Sequence, residues 1–179
     1  MTDAVTRVFK IEQEYEVPVP DASNLITEDD TPEDNLLSER EMGLLKESGY
    51  TSWPGPGEGR RFLIMANVAL YASLTGPPLV PDVLLSLDVE PPEDPWPKEH
   101  RSYRIWHYGK PPEIVIEIVS NRKGNELGNK LLDYARMGVA YYVVFDPQRL
   151  LGDKMLRIFA RQRTTFVETD ETWFDDIGI

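Results

Sequence analysis

The residue types that could carry chemistry in this chain are concentrated around Glu117. In EIVIEIVS (113–120) alternate side chains of a strand fall on opposite faces. Ile114, Ile116, Ile118 and Ser120 then share one face, and Glu113, Val115, Glu117 and Val119 the other. A carboxylate among branched aliphatics is costly to bury unless a cation, a donor or a metal compensates it. Three readings of Glu117 are open: a residue on a wet sheet face, half of a structural ion pair, or a metal ligand. Asp82 follows Pro81 at the mouth of the apolar run DVLLSLDV. It is either a strand-entry aspartate bonding its local backbone or a second acid beside Glu117. Two acids on adjacent strands can hold a hard divalent ion through oxygens, and Mg²⁺ accepts one or two carboxylates completed by waters and a substrate phosphate. Lys130 follows in NELGNKLLDYARM, beside the Leu127–Leu131 stripe and one turn before Tyr134. It is a snorkelling flank residue, the cation that pairs with Glu117, or a charge that orients an attacking water at phosphorus. Two carboxylates, a metal and a lysine suffice for phosphodiester hydrolysis without histidine or cysteine.

The rest of the composition narrows the alternatives. The chain has no cysteine, which excludes disulfides, thiolate zinc sites and a Cys nucleophile. His100 and His107 have no further N or S ligands in prospect for zinc. Ser86 and Ser120 have no base in view, so a serine hydrolase is disfavoured. Gly124 and Gly128 lack the spacing of a phosphate loop, and Arg122 and Lys123 read more simply as solvated loop residues than as a phosphate clamp. Trp96, Tyr103, Trp106 and Tyr108 could stack on bases, or pack their loop down or build a dimer contact.

These residues need elements to position them. LLSEREMGLLKES (36–48) reads as a helix with capping-box spacing between Ser38 and Glu41 and a stop at Gly49. Four apolar runs, 62–72, 82–89, 113–120 and 141–146, read as strands. Residues 125–137 form a helix between the last two, ended by Gly138. Residues 155–169 alternate like a closing hairpin. The proline-rich stretch 90–112 is a long excursion with one short strand. Strand-helix-strand over 113–146 implies a crossover between parallel strands, and the earlier strands fit a meander. The fold class is α/β or α+β, a mixed central sheet flanked by helices.

Charge divides the chain unevenly. Nineteen bases against 31 acids give −12, but residues 1–41 hold −9 and residues 168–179 hold −5, leaving +2 between. A neutral body permits a phosphate-bearing substrate without demanding one. Residues 1–35, ending in TEDDTPEDN, read as an acidic arm before one domain over 36–179. Disorder is the plainer reading of that arm; a mimic of DNA charge and a dimer-exchange segment are the others. The polar start has no apolar leader and no run is long enough to span a bilayer, so a cytoplasmic protein without membrane contact is expected.

The ordered string Pro81-Asp82, Glu117-Ile118-Val119-Ser120-Asn121, Leu127-Gly128-Asn129-Lys130-Leu131, Tyr134-Ala135-Arg136-Met137-Gly138-Val139 and Tyr142-Val143-Val144-Phe145-Asp146-Pro147 resembles the Uma-two family of restriction endonucleases, within the PD-(D/E)xK nuclease superfamily. The likeness covers about residues 36–168. It implies a restriction-endonuclease-like core, an Mg²⁺ or Mn²⁺ cofactor and DNA as substrate; a homodimer, its contact built by the Trp- and Tyr-rich excursion, would suit cutting both strands. By the same resemblance Asp82 matches the PD aspartate and Glu117 the (D/E) position. The backbone carbonyl of Ile118 would join Asp82 and Glu117 around the metal. Val119 stands where the superfamily's lysine usually sits, and the family's lysine, moved to the next helix, matches Lys130. An acid from the first helix, Glu39 in preference to Glu41, would complete the set. Two functions follow: a metal-dependent DNA endonuclease, or a catalytically silent binding or assembly module, to which the acidic tails and Val119 point. The same site acting on another phosphodiester is a third.

Overall fold

The computed structural model describes residues 35–57, 59–97, 100–122 and 124–179. The acidic arm lies outside them except for Asn35. A six-stranded sheet runs in the order β1 (Phe62–Ala66), β3 (Val83–Leu87), β5 (Ile114–Ile118), β6 (Tyr141–Phe145), β7 (Leu156–Gln162), β8 (Thr165–Thr169). β1, β3 and β5 are antiparallel neighbours, as a meander requires, and β5 pairs with β6 in parallel across the helix α3 (Asn129–Met137). β7 and β8 form the closing hairpin. This mixed sheet with flanking helices is the α+β core expected of a restriction-endonuclease-like fold.

The sheet has two covered faces, which is why its central strands are apolar throughout. Val115 and Val119 join Tyr134 and Ala135 of α3 in one core cluster. Ile114 and Ile118 point the other way and join Met42 of α1 (Leu36–Thr51) together with Phe174 and Ile177. Alternation along β5 therefore sends Glu117 to the α3 side. At the end of α3, Gly138 takes a left-handed φ of 91° as the C-cap, a conformation that favours glycine.

Three local expectations are corrected. The cap of α1 is Asn35, whose side chain accepts from the amides of Leu37 and Ser38, and no Ser38–Glu41 box forms. Gly49 does not end α1; it lies buried within the helix, where a Cβ would run into Cδ1 of Ile64. That glycine serves close packing of helix on sheet. The run 62–72 is not one strand. It breaks at Asn67, whose φ is +53°, and resumes as β2 (Leu70–Tyr71), which pairs in parallel with β4 (Tyr103–Arg104) in a separate ribbon. A single-turn helix, α2 (Ile105–Tyr108), follows β4 inside the excursion.

Candidate active site

β3 and β5 set the two acids. Their antiparallel register opposes Val83 to Ile116, so Asp82 at the start of β3 arrives beside the end of β5. Its Oδ2 accepts from the Ile118 amide at 2.6 Å. Glu117 is only 2 % exposed. Its Oε2 accepts from Nζ of Lys130 at 2.8 Å and its Oε1 from the Tyr134 hydroxyl at 2.6 Å. Residues 130 and 134 are one helical turn apart, so the first turns of α3 present ammonium and phenol together to one carboxylate. The wet-face reading of Glu117 is thus excluded. The position two beyond it, Val119, is fully buried in the α3-side core, and the lysine reaches the carboxylate from the helix.

Electrostatics at this point are dominated by desolvation. Burial, aided by the nearby Asp82 charge, pushes the Glu117 carboxyl up to about 7 against the pull of Lys130 and Tyr134. Burial alone would lower Lys130, but Glu117, Glu126 and Asp82 outweigh it and hold the ammonium above its ordinary value. Burial also raises Tyr134 far above the phenol range, so it remains a neutral donor.

Glu126 is the acid that sequence reasoning missed. It is 5 % exposed, its Oε1 lies 4.0 Å from Lys130 Nζ, and its Oε2 has no hydrogen-bond partner among the described residues. The Tyr142 hydroxyl holds its backbone carbonyl at 2.9 Å. Gly124 leaves space for the carboxylate, since a Cβ there would collide with it. The spacing of four from Lys130 was the available signal, hidden because Glu126 sits in the turn before α3 rather than in the helix. A buried carboxylate oxygen without a protein partner is uncommon in folded proteins.

Other candidates fall elsewhere. Glu39 is exposed on the first turn of α1, Glu41 is half-buried, and no hydrogen bond or ion pair among the described residues joins either to Asp82 or Glu117. Ser86 is bonded to the Tyr103 hydroxyl at 2.8 Å inside the core, which removes both from surface chemistry. The rings of His100 and His107 lie 5.7 Å apart, and among the described residues no group of three His, Cys, Asp or Glu side chains could hold a metal. Side chains alone therefore offer two neighbouring carboxylates. Both are hard oxygen donors, the kind a divalent ion takes when it keeps waters and accepts phosphate. No helix among the described residues is long and apolar enough to cross a membrane.

The mixed sheet, with its acids at one end and a lysine delivered by the crossover helix, defines an α+β core of the restriction-endonuclease-like class. The family model for Uma2, described as "Putative restriction endonuclease", matches residues 50–173, and the chain belongs to that family. Asp82, Glu117, Glu126 and Lys130 lie within the match and Glu39 lies before it. No curated protein matches the chain.

Proposed function

We propose that the chain is a divalent-metal-dependent endonuclease that hydrolyses DNA phosphodiesters. The observation that supports it best is the contact of Lys130 with Glu117 at 2.8 Å, made from a separate element at the end of the sheet that Asp82 also occupies. Asp82, Glu117 and the Ile118 carbonyl would hold Mg²⁺ or Mn²⁺, which when bound supplies Lewis-acid charge to the phosphate and makes water more acidic. Tyr134 fixes the orientation of Glu117 through Oε1. Lys130, kept protonated by its acidic neighbours, donates to the incoming water and offsets the negative charge that grows on phosphorus. Glu126 balances the Lys130 charge from the other side. This assignment does not require Glu39. Cutting both strands of a duplex would suit a homodimer.

The test is calorimetric Mn²⁺ titration of the wild type, Asp82→Asn and Glu117→Gln, followed by plasmid nicking. Micromolar to low-millimolar binding, lost with nicking in both variants, is the expected result. Binding indifferent to both substitutions would overturn the proposal. One observation favours the second reading, a silent binding or assembly module: Glu117 already has two partners and can serve as a buried structural pair without a metal. On that reading divalent ions would leave the melting temperature unchanged.

A further inference from the structure

A cleft of about 600 Å³ opens on the β2–β4 ribbon, and neither Asp82 nor Glu117 lines it. Tyr71, Leu74, Arg101, Ser102, Arg104 and Trp106 form its walls, and no acid among the described residues lines it. Both guanidinium groups are held at their Nε atoms: Arg101 donates to the Trp96 carbonyl at 2.8 Å, and Arg104 to the buried Ser102 hydroxyl at 3.2 Å. Trp106 is 46 % exposed, and Leu74 stands almost wholly in solvent at the rim.

The ribbon is rooted in the core that Glu117 faces. Leu70 and Tyr103 are fully buried there with Tyr134 and Val119. A second cleft of about 280 Å³ shares Ser73 with the first and is walled by Asp133, Arg136 and Met137 of α3, the helix that carries Lys130. The cleft thus stands on the same side of the main sheet as the carboxylate–lysine pair. Its volume suits a nucleotide-sized ligand. Arginine forks match phosphate oxygens, and an exposed indole gives a base a stacking platform.

We propose that this cleft seats an unpaired nucleotide of a DNA strand, its base against Trp106 and its flanking phosphates on Arg101 and Arg104. The choice of nucleic acid as occupant rests on the nuclease reading above; the cleft's chemistry does not involve the metal site. It would hold the strand beside the scissile position, so that affinity and cleavage are set by different residues.

The experiment is fluorescence anisotropy of a labelled oligothymidine with the full chain in EDTA, over a salt series. Arg101→Ala with Arg104→Ala should weaken binding and lower the slope of log K against log salt by about 1.4, the contribution of two phosphates on a single strand. The paired change to lysine should restore that slope, separating lost charge from lost folding. Trp106→Ala should weaken binding about tenfold, while Trp106→Phe should retain most of it. An unchanged salt slope in the double alanine variant, or duplex bound as well as single strand with Trp106→Ala indifferent, would overturn the cleft. That failure is distinguishable from failure of the nuclease reading, which is decided by Mn²⁺ binding at Asp82 without any DNA present.

Discussion

Glu117 carries a proton affinity that the unfolded chain does not share. Burial raises its carboxyl from the ordinary 4.5 to about 7. The folded state therefore binds the proton more tightly, and the stability this contributes is complete below about 4.5 and lost as pH rises through 7. Lys130 is also raised, but its contribution is lost only above its own elevated value and lies outside this window. In EDTA the wild type should lose stability relative to Glu117→Gln between pH 5 and 8, by no more than about 1.4 kcal/mol per pH unit. Urea denaturation of both proteins across that range measures it, and a difference independent of pH would contradict the assignment. The alternation of EIVIEIVS was enough to expose Glu117 as the residue needing compensation, and the helix spacing was enough to bring Lys130 and Tyr134 into view. Glu126 was not legible because its burial comes from the turn at Asn125–Gly128 and the space at Gly124, neither of which has a periodic signature.

Elements were read well where periodicity was strong and poorly where a glycine or asparagine had two possible uses. β3, β5, β6 and the β7–β8 hairpin follow directly from apolar runs bounded by breakers, whereas the helix expected over 125–137 begins only at Asn129, with 125–128 in a turn and Leu127 exposed. Gly49 looked like a helix stop, yet its lack of a side chain is used for contact with Ile64 rather than for a turn. Gly49→Ala should accordingly destabilise the protein by about 1–3 kcal/mol, as overpacking does, although alanine is the better helix former. Chemical denaturation checks this, and a neutral or stabilising result would mean that α1 can move away from β1 freely. Asn67 looked like one residue of a long strand. Its left-handed φ instead redirects the chain from the main sheet to the ribbon. Asparagine tolerates that conformation better than most residues, but it does so at few sites, and nothing in a single sequence singles this one out.

At the scale of the whole molecule, the sheet's two faces separate two tasks. The α1 side is a hydrocarbon core reinforced by residues 174–178: Phe174 packs against Tyr141 with centroids 3.9 Å apart and ring planes tilted by 32°, and the Trp53 indole donates to the Gly178 carbonyl at 2.6 Å. The α3 side carries every polar group assigned here, from the carboxylates to the arginine cleft. Buried Phe174 and Ile177 extend the packed unit beyond residue 173, where the family match ends. The acidic segment 168–179 was legible only as charge; its buried anchors are two residues in a polar sequence, too few to form a pattern.

Asp82 and Lys130 also reach β5 over very different lengths of chain. The Lys130–Glu117 contact closes a loop of 13 residues within one strand-helix-strand unit, whereas the Asp82–Ile118 bond closes one of 36. Loop-closure entropy makes the longer connection about 0.9 kcal/mol more costly. On that ground the ion pair is expected to close before the two acids meet. Adjacent amides report on the two units: Val119, bonded to the Phe145 carbonyl of β6, reports the strand-helix-strand unit that contains the ion pair, and Ile118, bonded to the Asp82 carboxylate, reports the longer closure. Pulse-labelled hydrogen exchange during refolding should show Val119 protected before Ile118, and simultaneous protection would place both closures in one step. With Val119 first, the strand-helix-strand unit that sets Glu117 against Lys130 is built before Asp82 joins it, and the meeting of the two acids is the last part of this end of the sheet to form.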